Sequence, residues 1–265
     1  MAEKTNNVEK IGQHTLPSPL LATPAWLRIT AILWFIATIA VLVVGFRQAL
    51  FIAPPDAELG NVQRIFYYHL PFAILGLVFP YVNLIASLAY LYLRHRNPLK
   101  ALTADALAVA SAQVTVLYVT LGLASGMLYG RPVWGIWWTW DARLTTYFIL
   151  WLLYVSYLLT RKLAPPEQIA PLSAVLAIFA AVDIPIVFMS IRWWRTQHPS
   201  PIFAGGQNSG LDHSMYPAVL WNMAGWAMWG IFVLCFRFAI ERRNQLAEQE
   251  YALQAIEASL HDYQG

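Results

Sequence analysis

Six stretches of the chain stay apolar for about one bilayer's worth of helix, and polar or turn-forming residues separate them. They run over about 26–46, 67–93, 102–128, 144–163, 172–191 and 216–240. About 20 helical residues cross the ~30 Å hydrocarbon layer. In lipid only a helix or a closed barrel satisfies its own backbone, and runs this long favour the helix. The pattern predicts an all-α polytopic membrane protein, a bundle of six transmembrane helices over residues 26–240. A polar cytoplasmic segment, 1–25, would precede it, and a short cytoplasmic C-terminal helix, 241–265, would follow. In that tail Leu246, Leu253, Ile256 and Leu260 form a stripe at heptad-like spacing. The stripe suits a short solvated helix or a helix that docks on a cytoplasmic partner. Pro71 falls in the expected first turn of the second helix, where a missing N–H costs little. Pro80 and Pro185 fall inside spans and predict kinks.

Composition agrees with this reading. The chain has 265 residues, 58% hydrophobic and 12% charged, against roughly 25% charged in soluble domains. The net charge of +3 lies in short loops, with no basic block of the kind that binds nucleic acid. Cys235 is the single cysteine, which excludes an intrachain disulfide, a Cys-x-x-Cys redox pair and covalent haem attachment through Cys-x-x-Cys-His. Inside an apolar run it reads as a small packing filler. The first 24 residues lack the layout of a cleaved secretory signal, so the first apolar run is expected to stay as an anchor. With the N-terminus inside, the inner segments hold Lys4, Lys10, Arg28, Arg94, Arg96, Lys100, Arg161, Lys162, Arg237, Arg242 and Arg243. The outer segments hold Arg47, Arg64, Arg131, Arg143, Arg192 and Arg195. The excess places both termini in the cytoplasm.

That topology sorts the candidate chemistry. His14, His95 and His261 fall on the inner side, and His69, His198 and His213 on the outer side. The outer side also carries Trp134-Gly135-Ile136-Trp137-Trp138-Thr139-Trp140-Asp141, followed by Ala142-Arg143-Leu144-Thr145. Indole rings offer a broad apolar face with one polar N–H. Four of them before a charged pair suggest a flat apolar platform with a polar rim. An interfacial aromatic belt would also use such rings, but it does not account for the imidazoles. Two neutral imidazoles from different helices can ligate iron above and below a porphyrin. Arg131, Arg143, Arg192 or Arg195 could pair with propionate carboxylates. The same inventory could hold a quinone. His69 sits just before Pro71, which would fix the start of its helix and the direction of its ring. His198 follows Trp193-Trp194-Arg195. His213 is a third outer histidine and an alternative to His198. Asp183, in mid-span, is expected as a neutral acid bonded to Gln113, Asn83 or Asn222.

The run from Trp134 to Asp141, continued by Ala-Arg-Leu-Thr, resembles the tryptophan-rich signature of the haem-handling membrane proteins of cytochrome c maturation. Its ending is similar to that of the haem exporter protein C family, CcmC, and the resemblance covers the chain from about residue 26 to 240. It implies a non-enzymatic haem transporter of the bacterial inner membrane that binds haem b non-covalently on the outer face. It implies His69 and His198 as axial ligands. It implies that the loop containing Trp134, Gly135, Trp137, Trp138, Trp140 and Asp141 binds haem and docks the haem chaperone CcmE. Arg143, Arg192 and Arg195 are the accompanying cations. The implied partners are CcmE, the ABC-type subunits CcmA and CcmB, and the small membrane subunit CcmD. A haem ligase subunit of cytochrome c synthase type and a quinone-binding redox subunit are the alternatives; the chain lacks the extra length that ligase relatives carry.

Overall fold

A computed structural model describes residues 24–199 and 211–264. The polar segment 1–23, including His14, lies outside the described residues, as does the stretch 200–210. For 261–264 the backbone alone is described, so the ring of His261 lies outside as well.

Among the described residues every regular element is helical. The spans are α1 (Ala25–Arg47), α2 (Phe66–Leu93), α3 (Pro98–Trp134), α4 (Ala142–Leu163), α5 (Pro166–Trp193) and α6 (Tyr216–Gln264). Six helical stretches are long and apolar enough to cross a membrane. The chain is a polytopic helical membrane protein. Residues 34–242 form one compact unit, and the described parts of 1–33 and 243–265 belong to another.

Several boundaries differ from the hydropathy pattern for identifiable reasons. α1 runs into a π-helical turn, Gln48–Ile52, and α2 is preceded by a 3-10 turn, Asn61–Ile65. Arg64 links these turns by donating to the Ala49 carbonyl at 2.8 Å and to Asn61 Oδ1 at 3.0 Å. α2 therefore starts at Phe66, and Pro71 sits inside it rather than marking its start. A proline this early removes one helical hydrogen bond without stopping the helix. α3 continues to Trp134 through Pro132, so the first indole of the tryptophan run is helical and not part of a loop. Gly135 ends it with φ +78°, a left-handed conformation that glycine adopts without a Cβ clash. α6 runs unbroken to Gln264, so the sixth span and the tail form one helix. In the tail Leu253, Ile256 and Leu260 are exposed.

Within the unit of residues 34–242, α2 and α3 form the most extensive helix pair, and α5 packs on α4 and α2. The core between them is built from the fully buried Tyr154 and Tyr157 with Leu150 and Ile184, and Tyr118 is fully buried where α2 and α3 meet α6. Tyr rings fill large apolar volume and carry a hydroxyl that can bond a neighbouring helix. Tyr118 does so, donating to the Trp226 carbonyl at 2.5 Å. α6 is tied to α1 by Asn222 Nδ2, which donates to the Gly45 carbonyl at 2.9 Å, and by Trp34 Nε1, which donates to the Met228 carbonyl at 3.0 Å. Cys235 lies on the exposed surface of α6 and fills no packing gap.

Asp183 is buried on α5, and its Oδ2 has no hydrogen-bond partner among the described residues. The three amides expected to receive it are committed elsewhere. Asn83 donates to the Ala108 carbonyl, Asn222 to Gly45 and Ala218, and Gln113 joins Arg237 and Glu241.

Candidate functional site

Alternating helix direction brings the start of α2, the end of α3, the start of α4 and the end of α5 to one end of the bundle. The tryptophan-rich segment and both candidate histidine ligands belong to that end.

Asp141 is the N-cap of α4. Its Oδ1 accepts from the Leu144 amide at 2.9 Å and its Oδ2 from Thr139 Oγ1 at 3.3 Å. At the end of the motif, an acid thus satisfies a helix-end N–H and ties the preceding segment to it. On the other side, Arg131 donates to the Gly135 carbonyl and closes the end of α3. The segment 135–141 is short and held at both ends.

Its rings do not form the flat platform expected of them. Trp138 and Trp140 meet edge to face at 5.5 Å and 80°, and both meet Phe148 of α4 at 70–75°. The ring quadrupole favours such T-shaped contacts over coplanar ones. The cluster continues down α4 to Trp151, which stacks on Phe148 at 5.9 Å and 10° and donates to Thr120 Oγ1 at 2.8 Å. Trp134 folds back against Gly130. Trp137 and Trp140 are 56% and 73% exposed, so the outward face of the segment is aromatic. Trp138 Nε1 and Thr145 Oγ1 are buried without a hydrogen-bond partner among the described residues.

His69 lies in the first turn of α2 with its Nδ1 3.0 Å from Ser125 Oγ of α3. His198 follows α5, and its Nδ1 is 2.9 Å from the Pro199 carbonyl. A carbonyl can only accept, so Nδ1 of His198 carries the hydrogen and Nε2 holds the lone pair. Thr196 Oγ1 accepts from the His198 amide at 3.1 Å and shapes the turn. His69 lies within electrostatic reach of both His198 and Arg143. His198 in turn lies within reach of Arg143 and Asp141. Burial, and then the charge of Arg143, hold the His198 imidazole below the ordinary histidine value, against the Pro199 carbonyl and Asp141, which act the other way. Two imidazoles and one guanidinium therefore share one neighbourhood. His213 is exposed in the 3-10 turn before α6, 5.7 Å from the Tyr216 ring and beside Asp212.

The arginines divide. Arg143 donates to the Val187 carbonyl of α5 at 2.5 Å, so part of its fork fastens α4 to α5. Arg192 is exposed with its guanidinium 5.0 Å over the Phe188 ring, and Arg195 is exposed in the turn that leads to His198. Trp193 and Trp194 meet edge to face at 5.7 Å.

Ser125 did not stand out in the sequence except as one of several small residues suited to helix packing. The capping roles of Asp141 and Arg131 were also missed, although an aspartate three residues before an apolar helical run is a recognisable N-cap signal.

The fold and this end define a class: a polytopic helical membrane protein that gathers imidazole, indole and guanidinium groups at one end of its bundle. A family model described as CcmC, heme exporter protein C, matches residues 14–254. The chain is 35% identical over 226 residues to Heme exporter protein C of Bradyrhizobium diazoefficiens, covering 84% of this chain and 81% of that protein. It is 29% identical over 219 residues to the Heme exporter protein C of Escherichia coli K12, covering 80% and 84%. A similar protein of Haemophilus influenzae, with the same name, is 29% identical over 215 residues, 81% of this chain and 85% of its own. The chain belongs to the haem exporter protein C family, CcmC.

Proposed function

We propose that this chain delivers haem for cytochrome c maturation, holding it as cargo at the loop end and releasing it to another protein. His69 and His198 are the axial ligands. The segment Trp134–Asp141 covers the porphyrin and presents it, and Arg143, Arg192 and Arg195 attract the propionates. The loop end faces the outside of the bacterial inner membrane, with both termini in the cytoplasm. The receiver is the haem chaperone CcmE, and the ABC-type subunits CcmA and CcmB with the small subunit CcmD complete the assembly.

The observation that carries this reading is the pair of imidazoles from different elements, each within reach of the same Arg143 and each with its Nδ1 already engaged. Metal-bound histidines almost always have the other ring nitrogen tied to a fixed partner. The buried Trp138 N–H and Thr145 hydroxyl, unpartnered among the described residues, add polar groups suited to a bound molecule. Haem b, when held, supplies an iron that takes neutral imidazole nitrogens and two carboxylates that take guanidinium groups. With two axial histidines no iron position stays open, which fits carriage and not catalysis. The exposed indoles of Trp137 and Trp140 offer a rigid aromatic surface of the kind found at binding hot spots.

The test is a haem titration of the purified full-length protein followed by absorbance. Wild type is expected to give a low-spin spectrum, and His69→Ala and His198→Ala are each expected to alter it and to weaken binding roughly 10-fold or more. Unchanged spectra in both variants would overturn the axial pairing.

A further inference from the structure

We propose that Ser125 and Gly126 of α3 form a seat that fixes the proton and the position of the His69 ring, leaving Nε2 as its ligating nitrogen; the ligating role rests on the haem reading above. The argument starts from the hydroxyl. Ser125 Oγ donates to the Leu121 carbonyl, four residues back on α3, at 2.6 Å. It also lies 3.3 Å from the Gly122 carbonyl. Both neighbours can only accept, so the one hydroxyl hydrogen points along the helix. Toward His69 Nδ1, 3.0 Å away, Ser125 then has only lone pairs to offer. The shared hydrogen must belong to the imidazole. A neutral imidazole carries one ring hydrogen, so placing it on Nδ1 leaves the lone pair on Nε2.

Gly126 supplies the second half of the seat. A Cβ at this position would stand 3.1 Å from His69 Cε1, 3.6 Å from Nδ1 and 3.9 Å from Nε2. The imidazole edge thus rests on bare backbone, and any larger residue would push it by a few tenths of an ångström. Adjacent residues of one rigid helix therefore set the ring's protonation pattern and its placement. His198 reaches the same polarity through a different acceptor, the carbonyl of Pro199. Ser125 is a positioning residue, acting through His69.

The experiment uses the full chain in lipid nanodiscs with 15N-labelled histidine. In haem-free wild type, the signal lost in His69→Gln identifies His69, and a pyrrole-type shift at Nδ1 with a pyridine-type shift at Nε2 is expected. Ser125→Ala should bring in the Nε2–H form and lower haem affinity roughly 10-fold. Ser125→Thr, which keeps the hydroxyl, should restore the wild-type tautomer. Gly126→Ala should keep the tautomer and change the low-spin signature of added haem. A wild-type His69 protonated on Nε2, or a Ser125→Ala protein with the wild-type tautomer, overturns the seat. A seat that holds in a protein whose haem spectrum ignores His69 overturns the haem reading instead, because the tautomer is measured without haem.

Discussion

The two ends of the bundle treat charge differently. At the end where α3 begins and α4 finishes, Arg161 grips Asp105 with two parallel bonds, 2.7 and 2.9 Å long. On the same side, Arg237 bonds Gln113 at 2.5 Å and lies 3.5 Å from Glu241, which Gln113 also reaches at 3.3 Å. Each of these cations has a carboxylate beside it. At the loop end Arg131 and Arg143 donate to backbone carbonyls, while Asp141 accepts from an amide and a hydroxyl. A carbonyl fixes a guanidinium in place without neutralising it. The first end is closed and holds helices together. The second gathers Arg143, the His69 and His198 imidazoles and the capping carboxylate of Asp141 in one neighbourhood, the arrangement that the proposed haem site would use.

The largest expected effect falls on the closed end. Asp105→Ala strands Arg161, whose side chain is only 17% exposed, and breaking a buried pair this way costs about 3–5 kcal/mol. Thermal unfolding of the purified protein should show it, and Arg161→Met in the same chain should recover much of the loss. At temperatures where the variant remains folded, its haem titration should match wild type. A parallel loss of haem affinity would mean that the two ends are coupled and that the contrast between them is false.

A middle effect separates structure from binding inside the loop. The Asp141 carboxylate caps α4, so Asp141→Ala should cost about 1 kcal/mol of stability, the usual value of a lost N-cap. Asp141→Asn keeps the accepting oxygen and should preserve both stability and haem binding. If the asparagine variant folds normally but loses haem, the negative charge itself acts at the site and capping is the lesser role.

The six spans were legible because about 20 apolar residues leave a chain in lipid few alternatives. Their ends were less so. The extension of α3 to Trp134 depends on Pro132 being tolerated in a last turn that Gly135 and Arg131 close, and hydropathy carries none of that information. The site divides in the same way. Trp134–Asp141 is rare enough in composition to be seen in the chain, and His198 and His69 were singled out by their neighbours and by family resemblance. The edge-to-face cluster of Trp138 and Trp140 required α4 to bring Phe148 against both rings. Ser125 is 56 residues from His69, and nothing distinguishes it from Ser111 until α2 and α3 pair. Long-range contacts of one small hydroxyl leave no pattern in a single sequence.

The smallest expected effect concerns the third outer histidine. His213 is exposed and packs beside Tyr216 in the turn before α6, and it is not among the groups whose charge acts on His69 or His198. His213→Ala should therefore change stability by no more than about 0.5 kcal/mol, as for most surface substitutions. It should also leave the low-spin spectrum of added haem unaltered. Loss of that spectrum in His213→Ala, with His198→Ala retaining it, would move the second ligand from the end of α5 to the start of α6. The charge of Arg143 would then guard an imidazole that does not bind iron, and the loop end would have to be redrawn around α6.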